Sequence, residues 1–299
     1  MTKQLTRTCG NWVDAPDPRN RLNELSNREW LKRTKSVWYS RPGPRDSLKQ
    51  NHPATFAETD VARLIELFTK RGEIVLDPFL GSGSSLIACI MTGRRGVGVE
   101  LVEHWANIAR ARVRRFLAQS GPDFAHLVNP ERDVLMGDSR IVLTHFPDQS
   151  FDFVVTSPPY WNILRKEHGM KMAAERKHRM LPTHYSERED DLGNLPSYER
   201  FLRELGDIWG QAARVLKHRR YMAVVVSDFR HGGRYYLYHA DTARIVEQRA
   251  GLVLKGTIVL VQDNKGLYPY GIPYSFVPNV HHQIVLVFYK PPNWEPPTA

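Results

Sequence analysis

EIVLDPFLGSGSSLIACIMTG, residues 73–93, opens on an apolar run, turns through a Gly-x-Gly loop and closes on helical sequence that ends in glycine. A strand, a sharp corner and a helix are expected in that order. Gly81 and Gly83 permit backbone angles that other residues avoid, and the helix N-terminus that follows offers unpaired N–H groups to polar or anionic ligand atoms. A dehydrogenase-type fingerprint would need a third glycine at position 86, which is Leu.

The same alternation continues outward. Apolar runs at 73–77, 95–100, 133–138, 151–156, 221–229, 256–262 and 283–290 suit strands covered on both faces. Helical patterns at 58–72, 84–93, 104–119, 198–216 and 239–251 fill the gaps, with Gly72, Gly93 and Gly251 placed for C-terminal caps. The pattern predicts an α/β, doubly wound, mostly parallel seven-stranded sheet with right-handed crossovers. Residues 1–50 and the segment 162–196 stand outside it as a basic N-terminal extension and an insertion into a 51–299 domain. The loop 263–282 between the last two strands is unusually long.

The 299 residues are 41% hydrophobic and carry 42 basic against 32 acidic side chains, a net +10. That balance favours a polyanionic partner, nucleic acid before membrane. The charge is clustered: residues 1–50 hold eleven Lys/Arg against five Asp/Glu, and Arg165, Lys166, Lys171, Arg176, Lys177 and Arg179 crowd the insertion. Those six suit phosphate contacts, which need only charge and reach. Cys9 and Cys89 make neither a metal pair nor a disulfide framework, and no apolar run nears the ~20 residues that span a bilayer. A cytoplasmic protein without a metal is expected, since His231, His239, His281 and His282 lack any ligand spacing.

Three successive strand ends carry groups suited to a nucleoside. After the glycine loop, VGVE sets Glu100 where a carboxylate can accept from both ribose hydroxyls, and GDSR sets Asp138 where one can accept from an exocyclic amine. Either acid alone would more commonly be a helix cap or a surface acid; three successive strand ends make the stronger signal. No phosphate-binding lysine accompanies the loop, so a nucleoside without a triphosphate is preferred, and S-adenosylmethionine fits.

FDFVVTSPPYW, residues 151–161, ends the fourth strand in two prolines. Each proline removes a donor and fixes φ, so the carbonyls of this corner point outward instead of pairing in a ladder. Ser157 and the Pro158 carbonyl become fixed acceptors for the two protons of a nucleobase amine, with Pro159 stiffening the turn and Tyr160 placed to stack on the base. A loop entry with a packed tyrosine is the plainer alternative for such a motif.

Together the DPF-x-GSG loop at Asp77–Gly83 and the SPPY motif at Ser157–Tyr160 resemble those of the amino-group DNA methyltransferases, over about residues 50–290. The resemblance implies a Rossmann-like methyltransferase fold with an antiparallel last strand, and S-adenosylmethionine as cofactor. NHPATFAE (51–58) is similar to the segment flanking the methionine end of that cofactor. The cofactor set implied is Thr55, Phe56, Asp77, Pro78, Phe79, Gly81, Gly83, Glu100 and Asp138, and the catalytic set is Ser157, Pro158, Pro159 and Tyr160. Double-stranded DNA is the implied partner, with a flipped base, and a cognate restriction nuclease is compatible with such a system. TSPPYW resembles the cytosine-N4 type; adenine N6 is the alternative, then an RNA exocyclic-amine methyltransferase, then a non-catalytic nucleic-acid-binding protein. Here the cofactor half precedes the catalytic motif, and QIVLVFYK ends nine residues before the last residue. Target recognition is therefore expected from residues 1–50, the 162–196 insertion or the 263–282 loop.

Overall fold

The computed structural model describes residues 15–43, 46, 48, 57–162, 191–263 and 265–297. In chain order the elements are α1 (Asn27–Arg33), β1 (Val37–Tyr39), α2 (Glu58–Phe68), β2 (Ile74–Asp77), α3 (Ser84–Thr92), β3 (Arg95–Glu100) and α4 (Glu103–Ser120). There follow α5 (Pro130–Asp133), β4 (Val134–Met136), α6 (Ser139–Val142), β5 (Phe151–Thr156), α7 (Tyr198–Val215) and β6 (Leu216–Val226). The chain continues through β7 (Phe229–His231), β8 (Arg234–Tyr236), α8 (Tyr238–Ala250), β9 (Val253–Val261) and β10 (His282–Tyr289).

The main sheet runs β1-β9-β10-β6-β5-β2-β3-β4, and only β10 is antiparallel to its neighbours. It has eight strands where the sequence pattern predicts seven. The extra one is β1, which pairs in parallel with β9 and buries Trp38 beneath the Arg63 guanidinium, 4.0 Å from the ring centroid. Three residues are too few to show a period of two, which is why the strand is silent in the sequence. Part of the stretch set apart at 1–50 thus packs on the domain; Asn23 also donates from Nδ2 to the Leu67 carbonyl (2.7 Å). The capping box of Ser26 and Glu29 starts α1.

Alternate strand residues face opposite layers, as a pleated sheet requires. Val75, Phe153, Val155 and Val225 meet the cluster built from α2, α3 and α4, whereas Leu76, Val154, Val224 and Val226 meet the one built from α7 and α8. In α7, Phe201, Leu205, Ile208, Trp209 and Ala212 recur at helical spacing and are all buried. Its C-terminal carbonyls are met by a buried cation: Lys290 Nζ donates to the Ala213 (2.7 Å) and Leu216 (2.6 Å) carbonyls.

Several boundaries differ from the sequence pattern: β4 is shorter than 133–138, β6 ends at Val226 and β9 starts at Val253, and two further differences have a visible cause. Helix α2 stops at Phe68, so Gly72 (φ 78°) serves the turn into β2 and caps no helix, while Gly93 and Gly251 do cap theirs in the left-handed conformation. Strand β6 begins at Leu216, five residues before the apolar run, because Glu73 and Asp152 pair with its charged residues: Arg220 bonds to both and Lys217 to Asp152 (2.7 Å). No described helix is long and apolar enough to cross a membrane.

Candidate active site

The strand order reverses between β2 and β5, which pair in parallel at the centre of the sheet. Open α/β sheets bind ligands outside the carboxyl ends of the strands at such a switch point. Here a pocket opens between the glycine loop and the proline corner. It spans about 910 Å³ of empty space, including the part open to solvent.

The glycine loop is held from beneath. Leu80 N donates to the Val99 carbonyl (2.9 Å), and Gly81 N donates to Glu100 Oε2 (2.8 Å). Gly98 makes this fit possible, since a Cβ there would meet the Leu80 side chain at 2.5 Å. Gly83 caps α3 at φ 84°, where a Cβ would also press on Ala109 at 3.0 Å. Asp77 lies under the loop, 1% exposed, and accepts from Ser85 Oγ (2.6 Å), Thr156 Oγ1 (2.5 Å) and Phe79 N (3.0 Å). Burial raises its carboxyl above the usual carboxylate range. Through Thr156 this one side chain joins the glycine loop to the residue just before Ser157.

Glu100 stands on the pocket wall. Its carboxylate also accepts from Val102 N (2.9 Å). Burial pushes the carboxyl up to about 7, against the pull of the Val102 and Gly81 N–H groups and with help from the Asp191 and Asp77 charges. Asp138 lines the pocket as the N-cap of α6, and Arg140 engages both its oxygens while reaching Glu204 with its other nitrogen (2.5 Å).

On the opposite wall Ser157, Pro158 and Pro159 face into the same pocket. Tyr238, fully buried, donates from its hydroxyl to the Pro159 carbonyl (3.0 Å) and pins the corner. Among the described residues no hydrogen bond engages Ser157 Oγ or the Pro158 carbonyl. Tyr160 packs edge-on to Phe229 and against Tyr238, at 6.0 and 5.6 Å between centroids, and burial pushes its phenol up to about 12. Trp161 is structural: its Nε1 donates to the Leu195 carbonyl (2.9 Å) and its ring packs on Tyr198 and His231.

Of the sequence-predicted cofactor residues, Pro78, Phe79, Gly81, Glu100 and Asp138 line the pocket together with the serine and prolines of the corner. Asp77 and Gly83 lie behind it. Thr55, Phe56 and the six basic residues Arg165, Lys166, Lys171, Arg176, Lys177 and Arg179 fall outside the described residues. Trp105, Arg140, Asp191 and Leu192 also line the pocket, and no motif marks them in the sequence. Asp191 is the last acid of EREDD, and nothing in that run distinguishes it from its neighbours. Among the described residues no group of three or more His, Cys, Asp or Glu could hold a metal ion.

A model of the N6_N4_Mtase family, described as DNA methylase, matches residues 10–111. YubD of Escherichia coli (strain K12), itself only provisionally named a methylase, is 41% identical over 71 residues, 24% of this chain and 31% of that protein. The type II methyltransferase M.BglI of Bacillus subtilis is 32% identical over 95 residues, 31% of this chain and 26% of that protein. The chain thus spans under a third of the length of either relative. TTHA0409 of Thermus thermophilus, provisionally named a DNA modification methylase and solved with S-adenosyl-L-methionine, is 26% identical, with a TM-score of 0.35 over 54% of this chain and 56% of that one. The stretch that matches the DNA methylase family holds the glycine loop and Glu100, and so supplies one wall of the pocket whose other wall is the proline corner.

Proposed function

We propose that the protein transfers a methyl group from S-adenosylmethionine to the exocyclic N4 amine of cytosine in duplex DNA. One observation carries the amine chemistry: the proline corner, with Ser157 Oγ and the Pro158 carbonyl unengaged among the described residues, opens into the same pocket as Glu100 and Gly81; the base follows the resemblance of TSPPYW to the cytosine-N4 type. The DNA methylase family match supports it.

The residues present suit the cofactor. Glu100 offers acceptors to a ribose diol, Asp138 offers one to an exocyclic amine, and the apolar faces of Phe79, Leu101 and Ile208 suit a purine. The cofactor supplies an electrophilic methyl group on a positively charged sulfur. Ser157 Oγ and the Pro158 carbonyl accept hydrogen bonds from the two N–H groups of the target amine, draw its lone pair out of conjugation and aim it into the pocket. Tyr160 stacks on the flipped base, and the buried Tyr238 and Thr156 keep the corner rigid. Among the described residues no cysteine nucleophile takes part: Cys89 is buried against the sheet and burial pushes its thiol far up. The basic residues at 165–179 contact phosphates.

Glu100 makes cofactor binding depend on pH. The ionised carboxylate accepts from both hydroxyls, so binding favours the deprotonated form and releases a proton. With the carboxyl near 7 in the free protein, the competent fraction rises from roughly a tenth at pH 6 to nine-tenths at pH 8, and the apparent Kd tightens about tenfold. Calorimetry of S-adenosylmethionine at pH 6, 7 and 8 measures this against Glu100→Gln, which should lose most of the dependence. Parallel curves for the two proteins would remove Glu100 from the site.

The function is tested by incubating the protein with methyl-labelled S-adenosylmethionine and, in parallel, mixed-sequence duplex DNA or RNA. Label is expected in the DNA. Label confined to RNA, or to neither polymer, contradicts the assignment.

A further inference from the structure

The loop between β9 and β10 leaves and rejoins the sheet at the edge that carries Ser157, because β10 runs antiparallel to the strands beside it. It is well formed. Gln262 N donates to the His281 carbonyl (2.8 Å), Lys265 Nζ donates to the Val280 carbonyl (2.9 Å), and Asn279 bonds to Tyr268 N (3.0 Å) and O (2.8 Å). At the tip the Gly271 carbonyl accepts from Tyr274 N and Ser275 N, both at 2.7 Å. Gly271 sits at φ 78°, where a Cβ would strike the Ser275 carbonyl oxygen at 2.4 Å.

This ordered tip holds apolar side chains out of the protein: Ile272 is 72% exposed, Phe276 90% and Tyr274 95%. Three large apolar side chains held out within five residues of one hydrogen-bonded turn make a candidate binding surface. The root of the loop adjoins the proline corner. Ser227 Oγ donates to the His282 carbonyl (3.0 Å), and Ser227 and Gln283 both neighbour the Tyr160 phenol. The flank is basic, with Arg230 donating to the Pro278 carbonyl (3.1 Å) and lying over Tyr235, and Arg234 lying over Tyr236.

We infer that Tyr274 and Phe276, with Ile272, are the wedge that enters the DNA stack beside the target base and fills the space that base leaves. The inference rests on the proposed DNA methyltransferase function and adds to it the element that opens the duplex. A paired base cannot reach Ser157 without leaving the stack, and apolar side chains inserted at a base step offset the lost stacking. Aromatic faces do so whatever the flanking sequence. Arg230 and Arg234 match the phosphates on either side.

The test is the double substitution Tyr274→Ala/Phe276→Ala, in side chains that support nothing in the fold. Transfer to mixed-sequence duplex is compared with transfer to the same DNA denatured to single strands. At least a tenfold loss on duplex is expected, with less than a twofold loss on single strands. Equal losses on both, or none on duplex, overturn the wedge; a loss of self-association in place of DNA activity would assign the patch to a second copy of the chain and overturn it too. Phe276→Trp supplies an independent reading, decisive if single strands are no substrate: its added fluorescence should be quenched by saturating duplex, and an unquenched signal overturns the proposal. A wild-type protein that methylates no DNA would instead defeat the function on which the wedge rests.

Discussion

Replacing Ser157 with alanine is expected to lower kcat for methyl transfer by roughly 10²–10³-fold, the usual cost of removing one preorganised partner of a transition state, while the Kd for S-adenosylmethionine stays within about twofold. The side chain lines the pocket with no hydrogen bond engaging its hydroxyl among the described residues, so its loss unpairs no protein group. The corner should keep its shape because two prolines fix its φ angles and Tyr238 holds the Pro159 carbonyl. Ser157→Asn, which restores a side-chain acceptor, should recover part of the rate. Single-turnover kinetics beside calorimetry separate the two quantities; an alanine variant with near-normal turnover would refute the amine clamp.

Asp77→Ala should act on stability and rate at once. The substitution strands three donors, the buried Ser85 Oγ and Thr156 Oγ1 and the half-buried Phe79 N. At about 1–3 kcal/mol for each unsatisfied group, a loss of about 3 kcal/mol or more is expected from a total near 5–15 kcal/mol. The fall in Tm should approach ~10 °C. Asp77→Asn keeps an acceptor and a similar volume, so its Tm should lie between those of alanine variant and wild type. Rate should fall with it, since the strut that links the glycine loop to Thr156 also sets where Ser157 stands. A Tm within about 1 °C of wild type for Asp77→Ala would show that the three donors find other partners.

The sequence carries most of this architecture because strands buried on both faces are written as continuous apolar runs, a pattern that short surface elements do not share. The glycine loop, Glu100, Asp138 and the proline corner are legible for a related reason: each lies at a strand's carboxyl end, and the doubly wound topology brings those ends together. What the pattern misses is short or tertiary. Strand β1 is three residues of Val-Trp-Tyr, and the β7–β8 hairpin turns on Gly232 and Gly233, both at positive φ, a two-glycine turn signal hidden by its short flanks. Asp77 resembles a cofactor ligand in sequence, yet its carboxylate is taken by Ser85 and Thr156, and Thr156 is 79 residues away in the chain. Asp191 and Arg140 reach the pocket only through packing, which no local motif records.

The most direct test of the central claim is to digest DNA methylated by the purified protein to nucleosides and identify the product by mass spectrometry. N4-methylcytosine is the predicted species: the corner offers fixed acceptors to an exocyclic amine, and the resemblance of TSPPYW to the cytosine-N4 type points to the base. N6-methyladenine would keep the amine clamp and contradict the assigned base; methylation at a ring carbon, or no modified base in DNA that the protein has bound with its cofactor, would contradict the clamp as well.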